Sequence, residues 1–388
     1  MLHFNLSEIQ ASWRIEKITW AKIPYRRPRG AGKNARRGPH GTDGEVPIAR
    51  MEAGGVSGFG WCTLSNQEAA ALAGMPLRAL FCPDGMLKKP FRGLEFPILD
   101  WLGNLLQKPV YELVAKHPEK LTGKGYSAPV YDTTIYFDEL HIENNKEAVD
   151  FICSEVQQGL DAGHINFKVK IGRCGRWMGL EEGLQRDIDI INAIRGLMGP
   201  SGKLMADANN GYNLNITKKF LSATKSANLH WIEEAFYEDD ENYADLQRWM
   251  KEEGIKTMIA DGEGSASPRL IDWAKKGIVN VIQYDLRDFG FFNWMEMARE
   301  LEDFGILYAP HNYGGFHGNY TQVHFAAVTD NFAFAEMDVA KAEGIDTSGY
   351  QVKDGFLIAP NAPGFGMKLE PSVLDSYKVK NGWEVSAI

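Results

Sequence analysis

The feature that most constrains the fold of this chain is a rhythm that begins near residue 131. Short apolar stretches recur at 131–137, 164–171, 204–208, 230–235, 256–261, 281–286, 306–310 and 332–337. Segments with helical spacing, among them Glu181–Met198, Lys218–Ala227, Tyr243–Glu253, Ser267–Lys276 and Asn293–Phe304, fill most of the gaps. Strands alternating with helices predict a parallel sheet of βα units, and eight such strands suit a closed barrel. No clear helix follows the last strand, so the expectation is α/β, a modified TIM barrel of (β/α)7β type.

Ahead of the barrel, residues 13–24 and 46–63 alternate apolar and polar positions, while 66–80 and 97–116 have helical spacing. They predict a small α+β unit. The expected division is 1–125 for this unit, 126–348 for the barrel and 349–388 for a Gly- and Pro-rich tail that returns to the first unit. Between Tyr25 and Gly44 lie Arg26, Arg27, Arg29, Lys33, Arg36 and Arg37, set among glycines and opposed only by Asp43. That composition makes a flexible, cationic loop.

Composition excludes several functions. A net charge of −9 disfavours a general nucleic-acid binder, because phosphate neutralisation needs a basic face. No apolar run reaches about 18 residues, which argues against a membrane span. The first residues, from Met1 to Glu8, show no export signal, so a cytoplasmic location is expected. Cys62, Cys82, Cys153 and Cys174 are widely spaced and read as free thiols rather than a thiolate zinc site or a disulfide framework.

Active sites of such barrels lie at the carboxyl ends of the strands, so charges there are informative. Lys168 and Lys170 end the second strand, Asp207 the third, Glu233 and Glu234 the fourth, Asp261 and Glu263 the fifth, Asp285 the sixth, His311 the seventh and Glu336 the eighth. A lone carboxylate at a strand end is usually a helix cap or solvated. Carboxylates on three consecutive strand ends would crowd like charges into one mouth, which calls for a cation. Oxygen-only ligation points to Mg²⁺, or Mn²⁺, rather than Zn²⁺. Lys168 and Lys170, two apart on a strand, leave on one face, and each is expected to depress the other's pKa and favour a neutral, proton-accepting amine. His311 and Asp285 stand on adjacent strands, where a carboxylate can orient an imidazole. His317 and His324 read as packing or surface histidines. Spacing alone allows either Asp261 or Glu263 to face inward.

These residues resemble the enolase superfamily, and within it the mandelate racemase-like subgroup. The resemblance rests on Lys168-Val169-Lys170, Asp207-Ala208-Asn209-Asn210-Gly211-Tyr212, Trp231-Ile232-Glu233-Glu234, Gly262-Glu263, Asp285, Pro310-His311-Asn312 and Glu336. It implies a Mg²⁺ held by Asp207, Glu233 and Glu263, which binds a substrate carboxylate and stabilises the enediolate formed when the alpha proton leaves. It further implies Lys170 as base on one face with Lys168 as its electrostatic partner, and His311 with Asp285 as acid/base on the other. Glu336 would donate a hydrogen bond to the carboxylate, and Asn209 would support the metal. The first unit would cap the barrel mouth and choose the substrate. Ala235 stands where many relatives have proline, and the Lys170–Asp207 stretch is unusually long, carrying Arg173, Arg176 and Trp177.

The leading expectation is dehydration of a sugar acid to a 2-keto-3-deoxy acid, with racemisation or epimerisation of a 2-hydroxy acid as the alternative and a non-catalytic binding barrel a distant third. The basic loop suits a polyhydroxylated acid, since guanidinium groups pair with carboxylates and bond hydroxyls. Arg26 and Arg29 are its candidate substrate contacts, together with Asn209. Lactonising and dipeptide-epimerising relatives carry a lysine at the end of the sixth strand, where this chain has Gln283-Tyr284-Asp285. The expected partners are a small carboxylic acid and further copies of the chain, with no nucleic acid and no membrane.

Overall fold

The alternating N-terminal segments form a hairpin longer than the sequence predicts. In the computed structural model, which describes residues 2–121, 123, 125–264 and 266–387, β1 (Lys17–Ala31) pairs antiparallel with β2 (Gly41–Ala53) from Lys17 to Arg26 and again at Ala31. Pro24 and Pro28 lie inside β1, although proline in a run ordinarily marks an edge or a break. β3 (Val56–Trp61) extends the sheet. Ser65 caps α1 (Asn66–Leu72) in a capping box with Glu68. α2 (Glu95–Leu106) lies on the sheet, and the buried Trp101 indole donates to Ala53 O at 3.0 Å. A single turn, α3 (Val110–Val114), follows.

Eight parallel strands then make the barrel: β4 (Tyr126–Ile135), β5 (Phe167–Lys170), β6 (Leu204–Asp207), β7 (Trp231–Glu233), β8 (Met258–Asp261), β9 (Val281–Ile282), β10 (Leu307–Tyr308) and β11 (Ala335–Met337). β11 pairs with β4. Between β10 and β11 the ring is joined by Tyr308, whose N–H donates to Asn331 O at 2.9 Å and whose carbonyl accepts from Ala333 N at 2.8 Å. The connecting helices are α4 (Asn145–Asp161), α5 (Leu180–Met198), α6 (Leu214–Ala223), α7 (Asp240–Glu252), α8 (Leu270–Lys275), the short α9 (Leu286–Phe289) with α10 (Phe291–Glu300), and α11 (Gly318–Ala326). No barrel helix follows β11 among the described residues; the next is α12 (Pro371–Asn381). This is the modified TIM barrel with its capping domain. None of the described helices is long and apolar enough to cross a membrane.

The tail divides between the two units. Phe356–Ala359 pairs antiparallel with β4, whereas Trp383–Ser386 pairs with β1 and stacks Trp383 on Trp20 at 5.8 Å. Glu95 of α2 ties cap to barrel by accepting from Phe291 N at 2.8 Å and Phe292 N at 3.0 Å, the first amides of α10.

Strand periodicity explains where the site sits. Tyr131, Met205, Trp231, Ala260, Val281, Ala309 and Phe334 form an apolar plug inside the barrel. Side chains on one strand face recur every second residue. Two positions further on stand Thr133, Asp207, Glu233, Gly262, Gln283, His311 and Glu336. A polar layer is thus stacked on the plug, and fully buried Trp231, edge-on to Phe334 at 5.8 Å, floors it.

Candidate active site

Asp207, Glu233 and Glu263 each offer a carboxylate oxygen within 4.8 Å of the others. Asp207 and Glu233 are fully buried, and Glu263 is half-buried. Strand alternation alone would have sent Asp261 the same way as Glu263. Gly262 breaks it, with φ of +130°. Asp261 accordingly turns to the Tyr243 hydroxyl and the Gly262 amide, and Glu263 joins the triad.

Like charges this close are unfavourable. Burial pushes Glu233 up to about 8, against the pull of Lys168, while Asp207 adds repulsion. Gln283 Nε2 at 2.7 Å and Trp231 Nε1 at 3.2 Å share its second oxygen. Glu263 Oε2 is buried without a hydrogen-bond partner among the described residues, and so is Asn209 Oδ1. An all-oxygen set that includes a buried carboxylate oxygen with no hydrogen-bond partner fits a hard divalent cation such as Mg²⁺. Asn209 is held by its own N–H to Asp207 Oδ1 (2.9 Å) and by its side-chain amide to Glu234 Oε2 (3.0 Å).

The lysines depart from expectation. Lys168 Nζ lies 2.6 Å from Glu233 and 2.8 Å from Glu336, and Lys170 is hydrogen-bonded to Asp207. Although burial would lower both amines, these carboxylates outweigh it and hold both above the ordinary lysine value. Mutual repulsion between the lysines is the weaker effect until something else engages the carboxylates. Glu336 is likewise held ionised, burial notwithstanding, by Lys168 and His311, and it accepts from Asn312 N at 2.6 Å. Within the protein it serves as an acceptor.

His311 and Asp285 meet as the sequence predicts, with Nδ1 3.2 Å from Oδ2. His311 Nε2 faces Glu263 at 3.5 Å and Glu336 at 3.8 Å. Burial opposes protonation of His311, yet Glu263, Glu336 and Asp285 bring it up to about 9. Sequence reasoning missed a further member, Arg287. Its guanidinium grips Asp285 through Nε (3.0 Å) and Nη2, and it lies over Trp61 of the cap at 4.8 Å. His317 and His324 are packing residues, buried on aromatic neighbours and both pushed down to about 3 by burial.

Two chambers open over this layer. An inner one of about 70 Å³ is lined by Asn34, Arg36, Arg37, His40, Tyr136, Lys170, Asn209, Glu263, His311 and Tyr313. An outer one of about 500 Å³ shares Arg37, Glu263 and His311 with it. Of the two arginines expected to meet substrate, Arg26 is exposed opposite Asp43 at 3.6 Å, and Arg29 is bound to Thr134 and to Glu155 O on the barrel flank. Neither lines a chamber. Because β1 runs on to Ala31, the loop tip is 32–40, and Asn34, Arg36, Arg37 and His40 are the cap residues at the site. The long segment after Lys170 holds that tip: Trp177 Nε1 donates to Asn34 O at 2.8 Å, and Lys33 lies 4.4 Å from the Trp177 ring. Arg173 is occupied elsewhere, paired with Glu139 and Asp187.

A family model described as enolase C-terminal domain-like matches residues 152–373. A solved mutant of galacturonate dehydratase from Geobacillus sp., complexed with Mg, is 42% identical over the whole of both chains, with a TM-score of 0.96. A second galacturonate dehydratase structure from Geobacillus sp., complexed with D-galacturonate and 5-keto-4-deoxy-D-galacturonate, is 43% identical, covers 97% of this chain and 100% of its own, and has a TM-score of 0.93. Among curated proteins, arabinonate dehydratase of Saccharolobus solfataricus is 24% identical over 294 residues, 74% of this chain and 72% of its own.

Proposed function

Because the chain belongs to the enolase superfamily, in its mandelate racemase-like subgroup, we propose that it is a Mg²⁺-dependent lyase that dehydrates a hexuronic acid. The observation that carries this reading is the placing of two acid/base groups against one carboxylate triad. Lys170 Nζ is bonded to Asp207, and His311 Nε2 stands 3.5 Å from Glu263.

Asp207, Glu233 and Glu263 would hold a Mg²⁺, which when bound would supply positive charge beside the substrate carboxylate. Lys170 takes the alpha proton at Nζ on one face, in the neutral form open to its amine once Asp207 is engaged as a metal ligand rather than by Nζ. Protonated His311, oriented through Nδ1 by Asp285, delivers a proton from Nε2 to the beta hydroxyl, which departs as water. The enol left behind takes a proton at the former hydroxyl carbon and becomes a ketone, so the net change is loss of one water. Counted from the carboxylate, the product is a 2-keto-3-deoxy acid. Counted from the other end of a hexuronate, the same carbons are 5 and 4, which is the pattern named in the 5-keto-4-deoxy-D-galacturonate bound by the Geobacillus enzyme.

Incubation with D-galacturonate and Mg²⁺, followed by an assay for keto acid, tests the reading. Keto acid should form, and EDTA should abolish it. Exchange of the alpha proton with deuterated solvent without any keto acid from a panel of sugar acids would establish a racemase instead.

A further inference from the structure

On its cap side the inner chamber is rich in hydrogen-bond donors, since Arg36 and Arg37 both donate. Asn34 Oδ1 is already taken by Arg36 N (2.9 Å) and Arg37 N (2.7 Å), and Glu263 belongs to the triad. A sugar hydroxyl is itself a donor and needs an acceptor; on the barrel side Asn209 Oδ1 and the Tyr136 and Tyr313 hydroxyls can accept, and on the cap side His40 offers an uncharged ring nitrogen.

His40 closes the base of the 32–40 loop and is held at two points. Its N–H donates to Ala31 O at 2.9 Å, and its ring Nδ1 lies 2.8 Å from Gly32 O. A carbonyl can only accept, so Nδ1 carries the proton and Nε2 is the bare nitrogen of the neutral ring. Burial, with Lys170 nearby, keeps the imidazole below its ordinary value and hence neutral. The carbonyl that fixes this tautomer is itself fixed. Lys33 and Phe137 form a bridge, and a Cβ on Gly32 would stand 2.6 Å from Asp138 Oδ1 and 2.9 Å from Phe137 O, so the loop lies flush on the end of β4. Tyr136 and Tyr313 hold the ring edge-on, with centroids at 4.9 and 5.4 Å. Nε2 has no hydrogen-bond partner among the described residues, and the side chain is only partly buried where it lines the chamber beside Lys170.

We propose that His40 is a specificity-determining residue whose bare Nε2 accepts a hydrogen bond from a hydroxyl on the Lys170 face of the bound sugar acid. The proposal rests on the hydroxy-acid reading of the site. It explains why a ring nitrogen is tied down in one tautomer at the uncharged end of a cationic loop. A polar atom built to meet a substrate hydroxyl discriminates strongly against the analogue that lacks it.

The test is a cycle between protein and ligand. Binding of galacturonate and of its single-deoxy analogues to the Mg²⁺-loaded enzyme is measured by calorimetry, with kcat and KM alongside. His40→Phe keeps the aromatic packing, His40→Asn keeps polarity but is too short to reach, and His40→Gln brings a polar atom close to the Nε2 position. In the wild type one deoxy acid should bind about 10- to 100-fold more weakly than the parent. His40→Phe and His40→Asn should weaken the parent by the same factor, leave that deoxy acid unaffected and change kcat less than about threefold, and His40→Gln should restore part of the discrimination. If either loss variant that folds keeps the wild-type preference over every deoxy acid, the proposal is overturned. Failure of the wild type to form keto acid would instead count against dehydration, and the binding cycle would still decide the role of His40.

Discussion

The strand ends and the 32–40 loop wall the same small chamber, and they are built in opposite ways. At the strand ends, charges sit in a buried lattice where each oxygen has a neighbour of opposite sign or a place in the triad. Lys168 alone touches Glu233, Glu336 and Asp207 within 4 Å. In the loop, Arg37 reaches both chambers with no carboxylate within ion-pair distance among the described residues, and apart from one ion pair, Arg36 to Glu234 at 3.5 Å, the anchoring is done by carbonyls, Trp177 and close backbone approach. The lattice sets chemistry, because a group moved there changes the charge on the reacting atoms. The loop sets recognition, because apart from the Arg36–Glu234 pair at 3.5 Å it lies above those atoms.

The comparison breaks most easily at Lys170. Lys170→Ala should lower kcat for dehydration by about 10³, in the range expected for a lost acid/base group, with substrate affinity changed far less. A fall confined to KM would put Lys170 with the loop rather than with the lattice. Arg287 tests how far the lattice extends, since it touches no reacting atom yet holds Asp285. Arg287→Gln should reduce kcat about 10- to 100-fold, as for other groups that orient a catalytic ligand, with KM within threefold of wild type. An unchanged kcat would confine the lattice to residues that face the chamber.

Legibility in the sequence followed the same division. Asp207, Glu233, Glu336 and His311 could be placed because a strand has one period, and each stands two residues beyond an apolar plug residue. Glu263 escaped that logic, because Gly262 turns the backbone to a conformation that the alternation rule does not contain. The charge states of Lys168 and Lys170 escaped it too, since they depend on which carboxylate of which strand comes nearest. Composition alone puts Arg26 and Arg29 among the substrate contacts. A run of arginines and glycines does not reveal that pairing continues past Pro24 and Pro28 and moves the tip to 32–40. Arg287 left no signal beyond its charge, because its partner is two residues away and its stacking surface, Trp61, lies in the other domain.

The loop side is sharpened by Gly32→Ala. The added methyl would meet Asp138 Oδ1 and Phe137 O at under 3 Å and lift the loop from β4. KM should rise about tenfold while kcat falls less than threefold, because Lys170 and His311 keep their partners. A parallel fall in kcat would show that the loop helps to hold the lattice.

The smallest effect is expected at Arg26, and it is the one that separates composition from placement. Arg26 is three-quarters exposed, lines neither chamber and faces Asp43 at 3.6 Å across the hairpin. An exposed pair of this kind contributes about 0–1 kcal/mol. Arg26→Ala should therefore leave KM and kcat within twofold and the melting temperature within a few degrees. Net charge alone would predict otherwise, since removing any cation from the loop weakens its attraction for an anionic acid, most visibly at low salt. Measuring KM at two ionic strengths distinguishes the two: a salt-dependent rise in Arg26→Ala would mean that the loop acts as a diffuse positive field, and a flat response would mean that only the residues fixed at its tip recognise the substrate.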